Sequence, residues 1–517
     1  MNSEEYITHE HTIIFSPYFN KPIEGKYKKI ISQYKKVIFS NTQLSFNLFD
    51  YYKTCKFHDY NKFKNEYNYY EFYDDHNDLN FNFYDDIYHK NENYDVHNDI
   101  NNHMVNKNLH KTIKYVLNKF NRPIDNLSFN KITHLTLGDC FNQPIDFLPS
   151  TITHLTLGNN FNQPIDYLPL GLTHLNINGY FDQPIDYLPS GLTHLNINGY
   201  FNQPIDYLPP TLTHLNINGS FDQSIDNLPS TLNHLNINGY FNQLIDNLPS
   251  GLTHLYIRGH FNRSINSFPS CLTSLKLICR FYEPINNLPP NLIILEVGNN
   301  FNQHINNLPT TLRYLKLGSK FNKPIDNLPS SLTYLIFGYL FNQSIDNLPS
   351  GLTHLTLGNN FNQPINCLPS SLTHLTVGNS FNQSINCLPS SLTQLTIGHR
   401  FNQPIDNLPS GLTQLAIGNS FNQPINCLPS SLTQLNIGNR FNQPIDNLPS
   451  GLTHLTICNS FNQPINCLPS SLTHLTLGYE FNKPIDLLPL GLTHLTLRKN
   501  YRRKIFKKYS HIKIKFI

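Results

Sequence analysis

The sequence predicts a mainly β fold, a solenoid in which short parallel strands stack into one curved sheet. The first observation is a period of 20 residues, the interval at which phenylalanine recurs from Phe141 to Phe481. Periods of this size are typical of solenoids. The second is the alternation of apolar and polar residues in Leu355-Thr356-Leu357, which predicts a strand with one buried face. The third is the pair Pro364 and Pro369, which leaves no room for a helix in the rest of the unit.

Each repeat unit, called a rung from here on, is numbered from its first leucine, so that Leu352 holds position one. Apolar residues then hold positions one, four, six, ten, fourteen and seventeen, and proline holds position eighteen. One rung cannot bury its apolar face alone, so about 20 rungs are expected to stack on one another. Gly358-Asn359, or Asn198-Gly199 in other rungs, predicts a turn after the strand. The return path on the convex side is expected to be extended.

The first 119 residues are predicted to hold two segments of different character. Residues 1–49 contain an echo of the rung around Ile13 and Phe15 and a further strand at Val37-Ile38-Phe39, which indicates a degenerate repeat that caps the array. Residues 50–119 are rich in Asn, Asp and Tyr without a period, which predicts an irregular insert. Its acidic side chains suit a hard cation, but their spacing matches no known loop motif, and a solvated loop is favoured.

The regular array is predicted over residues 120–497, followed by a basic C-terminal cap over residues 498–517. In the cap, Ile512, Ile514 and Phe516 alternate with charged or polar residues, which predicts a closing strand. The charged face of such a strand resists edge-to-edge association. A basic address or a nucleic-acid contact is the alternative function of this segment.

Position three holds histidine in many rungs, and these rings are expected on the concave side of the sheet, about 5 Å apart. A row of imidazoles suits a metal, but a flat column lacks convergent ligands, and Gln394, Gln414 and Gln434 occupy the same position. A stacked polar stripe is therefore favoured. Protonation of adjacent rings below about pH 6 is expected to loosen the array.

Positions three and five together predict a neutral, hydrogen-bonding concave surface that suits a protein or peptide better than phosphate. The rungs over residues 251–345 depart most from the pattern and carry basic residues. Local departures on one face commonly mark a partner site, with drift on a tolerant surface as the equal alternative. The candidate partner-binding residues are His154, Thr156, His174, Asn176, His194, Asn196, His214, Asn216, His254, Arg258, Lys276, Arg280, His354 and His374.

Composition limits the remaining functions. The net charge is only +3, which makes nucleic acid an unexpected partner. The nine cysteines form no disulfide framework, so a reducing compartment is favoured. Those at position sixteen are expected to be buried free thiols, with a zinc or redox site as the alternative: Cys367, Cys387, Cys427 and Cys467. The start of the chain lacks the segments of a signal peptide, and no apolar run is long enough to span a membrane.

No catalytic constellation is visible in the sequence. It contains no phosphate-binding loop, nucleophile elbow or His-Glu-x-x-His motif. We therefore expect no enzyme activity, no cofactor, no metal and no small-molecule ligand. A catalytic function would require residues 50–110 to fold into a site.

The phrases FNQPI and LPSSLTHLTLG resemble the FNIP-repeat family of social amoebae and of large DNA viruses that infect amoebae. They also resemble the short bacterial leucine-rich repeat, which Leu352, Leu355, Leu357 and Pro369 match. This sequence departs from the bacterial repeat at position nine, where the usual Asn is replaced by residues such as Tyr180, Ser220, Arg400 and Glu480. A recurrent Asn at position eleven, such as Asn362, predicts a polar ladder displaced by two residues.

The resemblance implies a leucine-rich-repeat-like fold and a function in protein–protein interaction. The sequence thus predicts a non-enzymatic scaffold that binds a protein partner on its concave face, without a membrane. The alternative, implied by some members of the family, is a substrate adaptor of a ubiquitin ligase acting through the N-terminal region. The expected location is intracellular and cytoplasmic, in an amoebal cell or in the host of a virus.

Overall fold

The computed structural model describes four short N-terminal strands by their backbone and nearly all of the repeat array. Besides these four strands, the described residues are 121, 123–124, 133–499, 501–503 and 509–516. The predicted insert over residues 50–119 lies outside them except for one strand, Lys114–Leu117. The suggested cation ligands of the insert and most of the predicted N-terminal cap also lie outside the described residues.

The chain divides into two compact units, Met1–Gln163 and Pro164–Ile517. In the first unit, β1 and β2 pair antiparallel, and every later pairing from β2 to β6 is parallel. The parallel ladder therefore includes β4, which falls within the segment expected to be irregular. The strands of this unit are Tyr6–His9 (β1), Thr12–Phe15 (β2), Lys36–Phe39 (β3), Lys114–Leu117 (β4), His134–Leu137 (β5) and His154–Leu157 (β6).

The second unit is a parallel β-solenoid in which each strand pairs with the strand of the next rung. Equivalent positions face each other, as Leu355 faces Leu375, so the pairing interval is the repeat length. The strands are His174–Tyr180 (β7), His194–Tyr200 (β8), His214–Gly219 (β9), His234–Gly239 (β10), His254–Gly259 (β11), Ser274–Cys279 (β12), Ile294–Val297 (β13), Tyr314–Leu317 (β14), Tyr334–Phe337 (β15), His354–Thr356 (β16), His374–Val377 (β17), Gln394–Ile397 (β18), Gln414–Ile417 (β19), Gln434–Ile437 (β20), His454–Ile457 (β21), His474–Leu477 (β22), His494–Leu497 (β23) and Lys513–Phe516 (β24).

The core is built from five of the six apolar positions that the sequence predicted, while Leu368 at position seventeen is only half-buried. Within one rung, Leu352, Leu355, Leu357, Phe361 and Ile365 are all buried. The phenylalanines of successive rungs stack with ring centroids 6.0–6.3 Å apart over most of the second unit. The return segments contain turns, and no α-helix occurs in the part of the chain that the structure describes. The fold class predicted from the period and the prolines is therefore confirmed.

Glycine at position seven explains how closely the rungs approach at the end of the strand. A Cβ atom built on Gly358 would lie 1.7 Å from the carbonyl oxygen of Gly338 on the preceding rung. A side chain at residue 358 would require the backbone to shift, so Gly358 allows this close approach, although Cys458 holds the same position in another rung with the same turn. The Gly-Asn pair was correctly predicted as a turn signal.

The rungs with the order Asn-Gly behave differently, and the turn predicted at Asn198-Gly199 is wrong. Strand β8 runs on to Tyr200 and pairs through this dipeptide with β7. Asn198 donates a side-chain hydrogen bond to Asn178 at 3.0 Å, and Gly199 adopts a φ of 116°. Moving glycine by one position thus replaces the turn with two or three more paired residues and a ladder of asparagine amides.

The polar ladder expected at position eleven is present. The backbone N–H of Asn362 donates to the side-chain oxygen of Asn342 at 2.9 Å, and Asn382 repeats the bond to Asn362. Gln363 adds a bond from its amide nitrogen to the carbonyl oxygen of Asn342. The ladder therefore pairs backbone donors of the return segment, where the strand pairing does not reach.

Strand β24 pairs with β23 at the C-terminal end, where Ile512 is buried and Phe516 is 45% exposed. Tyr501 stacks on Phe481 at 6.0 Å and so takes the position of the next phenylalanine. The hydroxyl of Tyr509 donates to the carbonyl oxygen of Asp486 at 2.6 Å. These contacts cover the last regular rung with residues from outside the repeat.

Candidate interaction surface

The strand residues at positions three and five point away from the core and form a surface that we call the polar sheet face. Strand burial alternates between half-buried and buried residues, so that His194 and Asn196 are partly exposed while Leu195 is buried. Twelve of the predicted partner-binding residues hold these two positions, two of them in the first unit. Arg258 lies further along β11, and Arg280 follows the end of β12.

The histidines of this face are stacked ring on ring. In the second unit, one run extends from His174 to His254, with centroids 4.1–4.3 Å apart and rings inclined by about 10°. A second run joins Tyr334, His354 and His374, each step being 4.1 Å. A third contains His454, His474 and His494. The stacked stripe predicted from position three is therefore present, in three separate runs within the second unit and in the pair His134 and His154 within the first.

Threonine at position two orients most of these rings and determines their tautomer, while Asn233 takes this position beside His234. The hydroxyl of Thr473 donates to the carbonyl oxygen of Thr453 at 3.0 Å, and its oxygen lies 2.9 Å from Nδ1 of His474. A hydroxyl has one proton, and the carbonyl oxygen can only accept, so Nδ1 must carry the hydrogen toward threonine. The neutral ring then has its lone pair on Nε2. The polar sheet face is thereby assigned a row of neutral acceptor nitrogens.

Burial keeps several of these rings neutral. It lowers the pKa of His354 from 6.5 to about 4, with a smaller contribution from the charge of His374. The pKa of His374 is also lowered by burial. That of His474 is lowered by burial first and then by repulsion from His454 and His494. Burial therefore favours the neutral form of these three rings.

The rungs between residues 251 and 345 replace the neutral columns with an ion ladder. Glu296 is buried, and its carboxylate lies 2.6 Å from Nζ of Lys316 and 3.9 Å from Nζ of Lys276 on the opposite side. Burial raises the pKa of Tyr256, the next residue in the same column, and Arg258 opposes that shift. Two lysines thus share one carboxylate, which leaves the ladder positive.

Exposed cations flank this ladder at position nine. Arg280 is exposed there, and the ammonium group of Lys320 lies 5.9 Å from the ring centroid of Tyr282. Glu296 and Lys316 were not among the predicted partner-binding residues. Their spacing of 20 residues in the sequence was the signal that would have placed them in one column.

The cysteines at position sixteen were expected to be buried, and this is wrong. Cys367, Cys387, Cys427 and Cys467 are all exposed free thiols. The residue pair at positions fifteen and sixteen forms a turn at the outside of the return segment, as at Asn366-Cys367. A turn there directs the side chain at position sixteen outward, whereas the isoleucine at position fourteen, such as Ile365, is buried in the core.

The described residues contain neither a metal-binding cluster nor a membrane-spanning helix. No group of three or more His, Cys, Asp or Glu side chains in that part of the chain is arranged to hold a metal ion. The parallel rings place their nitrogens side by side and not around a common point. The same residues include no helix with the length and hydrophobicity required to cross a membrane.

The stacked strands, leucine positions and helix-free return segments define a parallel solenoid of the leucine-rich-repeat type. The chain belongs to the FNIP repeat family, whose sequence profile matches in overlapping segments from residue 120 to residue 500, with a gap at residues 281–283. The resemblance predicted from FNQPI and LPSSLTHLTLG is confirmed. No curated protein sequence matches the chain.

Solved structures agree with this class. CroV588, a giant-virus protein described as a novel circular leucine-rich-repeat structure, is 39% identical over 78% of this chain and 72% of its own, with a TM-score of 0.63. Toll-like receptor TLR13 in complex with ssRNA13 is 15% identical, over 78% of this chain and 74% of that chain, with a TM-score of 0.50. YopM from Yersinia enterocolitica is 20% identical, over 75% and 91%, with a TM-score of 0.46.

Proposed function

We propose that this protein is a non-enzymatic scaffold that binds a protein partner on its polar sheet face. Solenoids of the leucine-rich-repeat type generally serve protein interaction. The observation that carries the proposal is the set of stacked, oriented polar side chains, arranged in separate runs on a parallel sheet. Each of these side chains is held by the neighbouring rung, so little conformational entropy is lost when a partner binds.

The chemistry of this face favours a polypeptide surface with exposed hydrogen-bond donors. The histidine columns offer Nε2 acceptors, and the neighbouring position five offers amide and hydroxyl groups, as in the bond of 2.6 Å from Asn196 to Asn176. These groups are uncharged, which suits backbone N–H and side-chain amide donors. Phosphate would require a continuous row of cations, which the histidine runs do not offer.

The ion ladder around Glu296 is proposed as the part of the face that selects the partner. It combines one buried carboxylate with Lys276, Lys316 and the exposed Arg258. Charged groups at an interface contribute more to partner choice and association rate than to affinity. A partner with acidic side chains opposite this ladder would be steered toward it.

The proposal is tested by comparing captured proteins from host-cell lysate. One bait carries Arg258→Asn, Arg280→Ser and Lys320→Ser, residues that other rungs hold at the same positions, as Asn238 and Ser380 do. A matched bait with Asp326→Asn and Asp406→Asn changes only the return segment. We expect to find a host protein that is captured by wild type and by the matched bait but not by the first bait. A partner lost only by the matched bait would contradict the proposal.

We place the scaffold in a reducing compartment, the cytoplasm of the host cell. All eight cysteines among the described residues are free thiols, which supports this location. The ubiquitin-ligase adaptor function depends on residues 1–110. Most of these lie outside the described residues, and no structural observation favours that function over the scaffold.

A further inference from the structure

A second surface lies on the return segments of the first rungs of the second unit. Position sixteen there is tyrosine in three consecutive rungs, Tyr167, Tyr187 and Tyr207, and their side chains are 73%, 72% and 72% exposed. Position fifteen is an exposed aspartate in each of the same rungs: Asp166, Asp186 and Asp206. We call these six residues the acidic–aromatic strip.

The strip is a local feature and not a property of the repeat. In the rungs that follow, position sixteen is Asn227 and then Asn247. Both of these asparagines donate to a carboxylate of the preceding rung, as Asn227 does to Asp206 at 3.0 Å. The core beneath the strip is the same as elsewhere, with Ile185 buried between Phe181 and Leu192. Folding therefore does not require tyrosine at these positions. The exposed rings must then have a role other than stabilising the fold.

Charge is segregated around the strip. Residues 164–257 contain seven aspartates and not one lysine, arginine or glutamate. The first cation after the strip is Arg258, which lies on the polar sheet face. The strip therefore combines a negative field with the negative faces of three aromatic rings, and both attract the same class of ligand.

We propose that the acidic–aromatic strip binds an extended, cationic segment of a protein, one that presents several arginine or lysine side chains. Guanidinium and ammonium groups stack on tyrosine faces and pair with carboxylates at the same time. Because adjacent rungs repeat the aspartate–tyrosine pair, a segment lying across them meets one such pair at each step. This surface is separate in chemistry from the polar sheet face, since one attracts cations and the ion ladder of the other attracts anions.

The test uses fluorescein-labelled nona-arginine and nona-citrulline peptides, equal in length and differing in charge, with binding followed by fluorescence anisotropy at physiological ionic strength. Wild type is expected to bind the arginine peptide at least about tenfold more tightly than the citrulline peptide. The variant Tyr167→Asn/Tyr187→Asn/Tyr207→Asn, which introduces the residue that neighbouring rungs carry, is expected to lose about tenfold in affinity for the arginine peptide. Unchanged affinity in this variant would overturn the proposal.

Two control variants separate the strip from general charge and from the polar sheet face. Asp326→Asn/Asp406→Asn/Asp446→Asn removes three carboxylates from rungs that lack tyrosine at position sixteen, and affinity is expected to change less than about twofold. A loss equal to that of the tyrosine variant would show nonspecific attraction and overturn the proposal. Arg258→Asn/Arg280→Ser/Lys320→Ser is expected to keep peptide binding, so the proposed function and this inference fail independently.

A second copy of the chain is the other possible occupant, since its C-terminal residues are basic. Sedimentation velocity of wild type and of the tyrosine variant distinguishes the two. A monomer in both cases supports an external cationic partner. Self-association of wild type that the three Tyr→Asn changes abolish would overturn that assignment in favour of a second copy.

Discussion

The ammonium group of Lys316 lies 2.6 Å from the carboxylate of Glu296, one rung away on the polar sheet face. Lys276 approaches the same carboxylate from the other side at 3.9 Å. Glu296 is buried, whereas the side chain of Lys276 is 35% exposed and that of Lys316 is 44% exposed. The buried carboxylate is therefore the fixed partner in both ion pairs. This arrangement requires three strands in register, and any slip of the sheet would separate the charges.

Glu296→Gln is expected to lower the free energy of unfolding by about 1 kcal/mol, because both lysines lose their anionic partner while solvent still screens them. Urea titration followed by circular dichroism measures the change. Glu480→Gln, at an exposed glutamate, is the control and is expected to have little effect. Equal stability of the two variants would show that the buried carboxylate contributes nothing.

Gly358→Ala is expected to lower the free energy of unfolding by about 2–3 kcal/mol, because the new methyl group would meet the backbone of Gly338. Gly411→Ala is the matched control, since its Cβ would lie 3.5 Å from the nearest atom, the carbonyl oxygen of Ser390. The two variants are compared by thermal and urea unfolding. A control variant as unstable as Gly358→Ala would contradict the steric account.

Phe381→Ala is expected to lower the free energy of unfolding by about 3–5 kcal/mol, because a fully buried ring is removed from the stack between Phe361 and Phe401. Cys387→Ala, on the same rung but exposed, is expected to be neutral within about 0.5 kcal/mol. Because stacked repeats unfold by neighbouring groups, hydrogen exchange also locates the loss. Faster exchange confined to rungs far from Phe381 would contradict the prediction.

Acidification between pH 6.5 and about 4 is expected to destabilise the array. The pKa of His354 falls from 6.5 to about 4 on folding, so the unfolded chain binds the proton more readily in that window. Stability is then full above pH 6.5 and decreases as the pH falls toward 4. Carboxylates titrate in the lower part of the same range, so the measured quantity is the difference between wild type and His354→Gln/His374→Gln.

The double variant should show a shallower loss of stability on acidification than wild type. Glutamine already holds this column in Gln394 and Gln414, so the substitution suits the fold. His304→Gln, at an exposed position on the return segment, is the control and should follow wild type. Identical pH profiles for wild type and the double variant would disprove a role of the histidine column.

The period and the alternation of residues were enough to predict the strands, the core positions and the histidine stripe. Each of these features depends on the pattern of residues within one rung, and the same pattern recurs in every regular rung. The lengthening of β8 was missed because Asn198-Gly199 has the composition of a turn. Only the neighbouring rung, which pairs with Asn198, converts it into strand.

The candidate site was predicted less completely, because its functional side chains act between rungs. The sequence reveals the ion ladder only when residues 20 apart are compared for opposite charge, as with Lys276, Glu296 and Lys316. A search for similar residues at that interval misses it. The exposure of Cys367 and Tyr187 depends on the turn at positions fifteen and sixteen. Burial was predicted for Cys367, but the direction of the backbone at the turn exposes its side chain.

The residue-for-residue pairing at an interval of 20 has a consequence for how such a chain can change in length. Unequal recombination that inserts or deletes 20 residues keeps the same positions paired between neighbouring rungs. A leucine equivalent to Leu352 again contacts its equivalent, and so does a phenylalanine equivalent to Phe361. The gene can thus lengthen or shorten without any compensating mutation in the core. An indel of any other size would place polar residues inside, so variation in such arrays should occur in multiples of the rung.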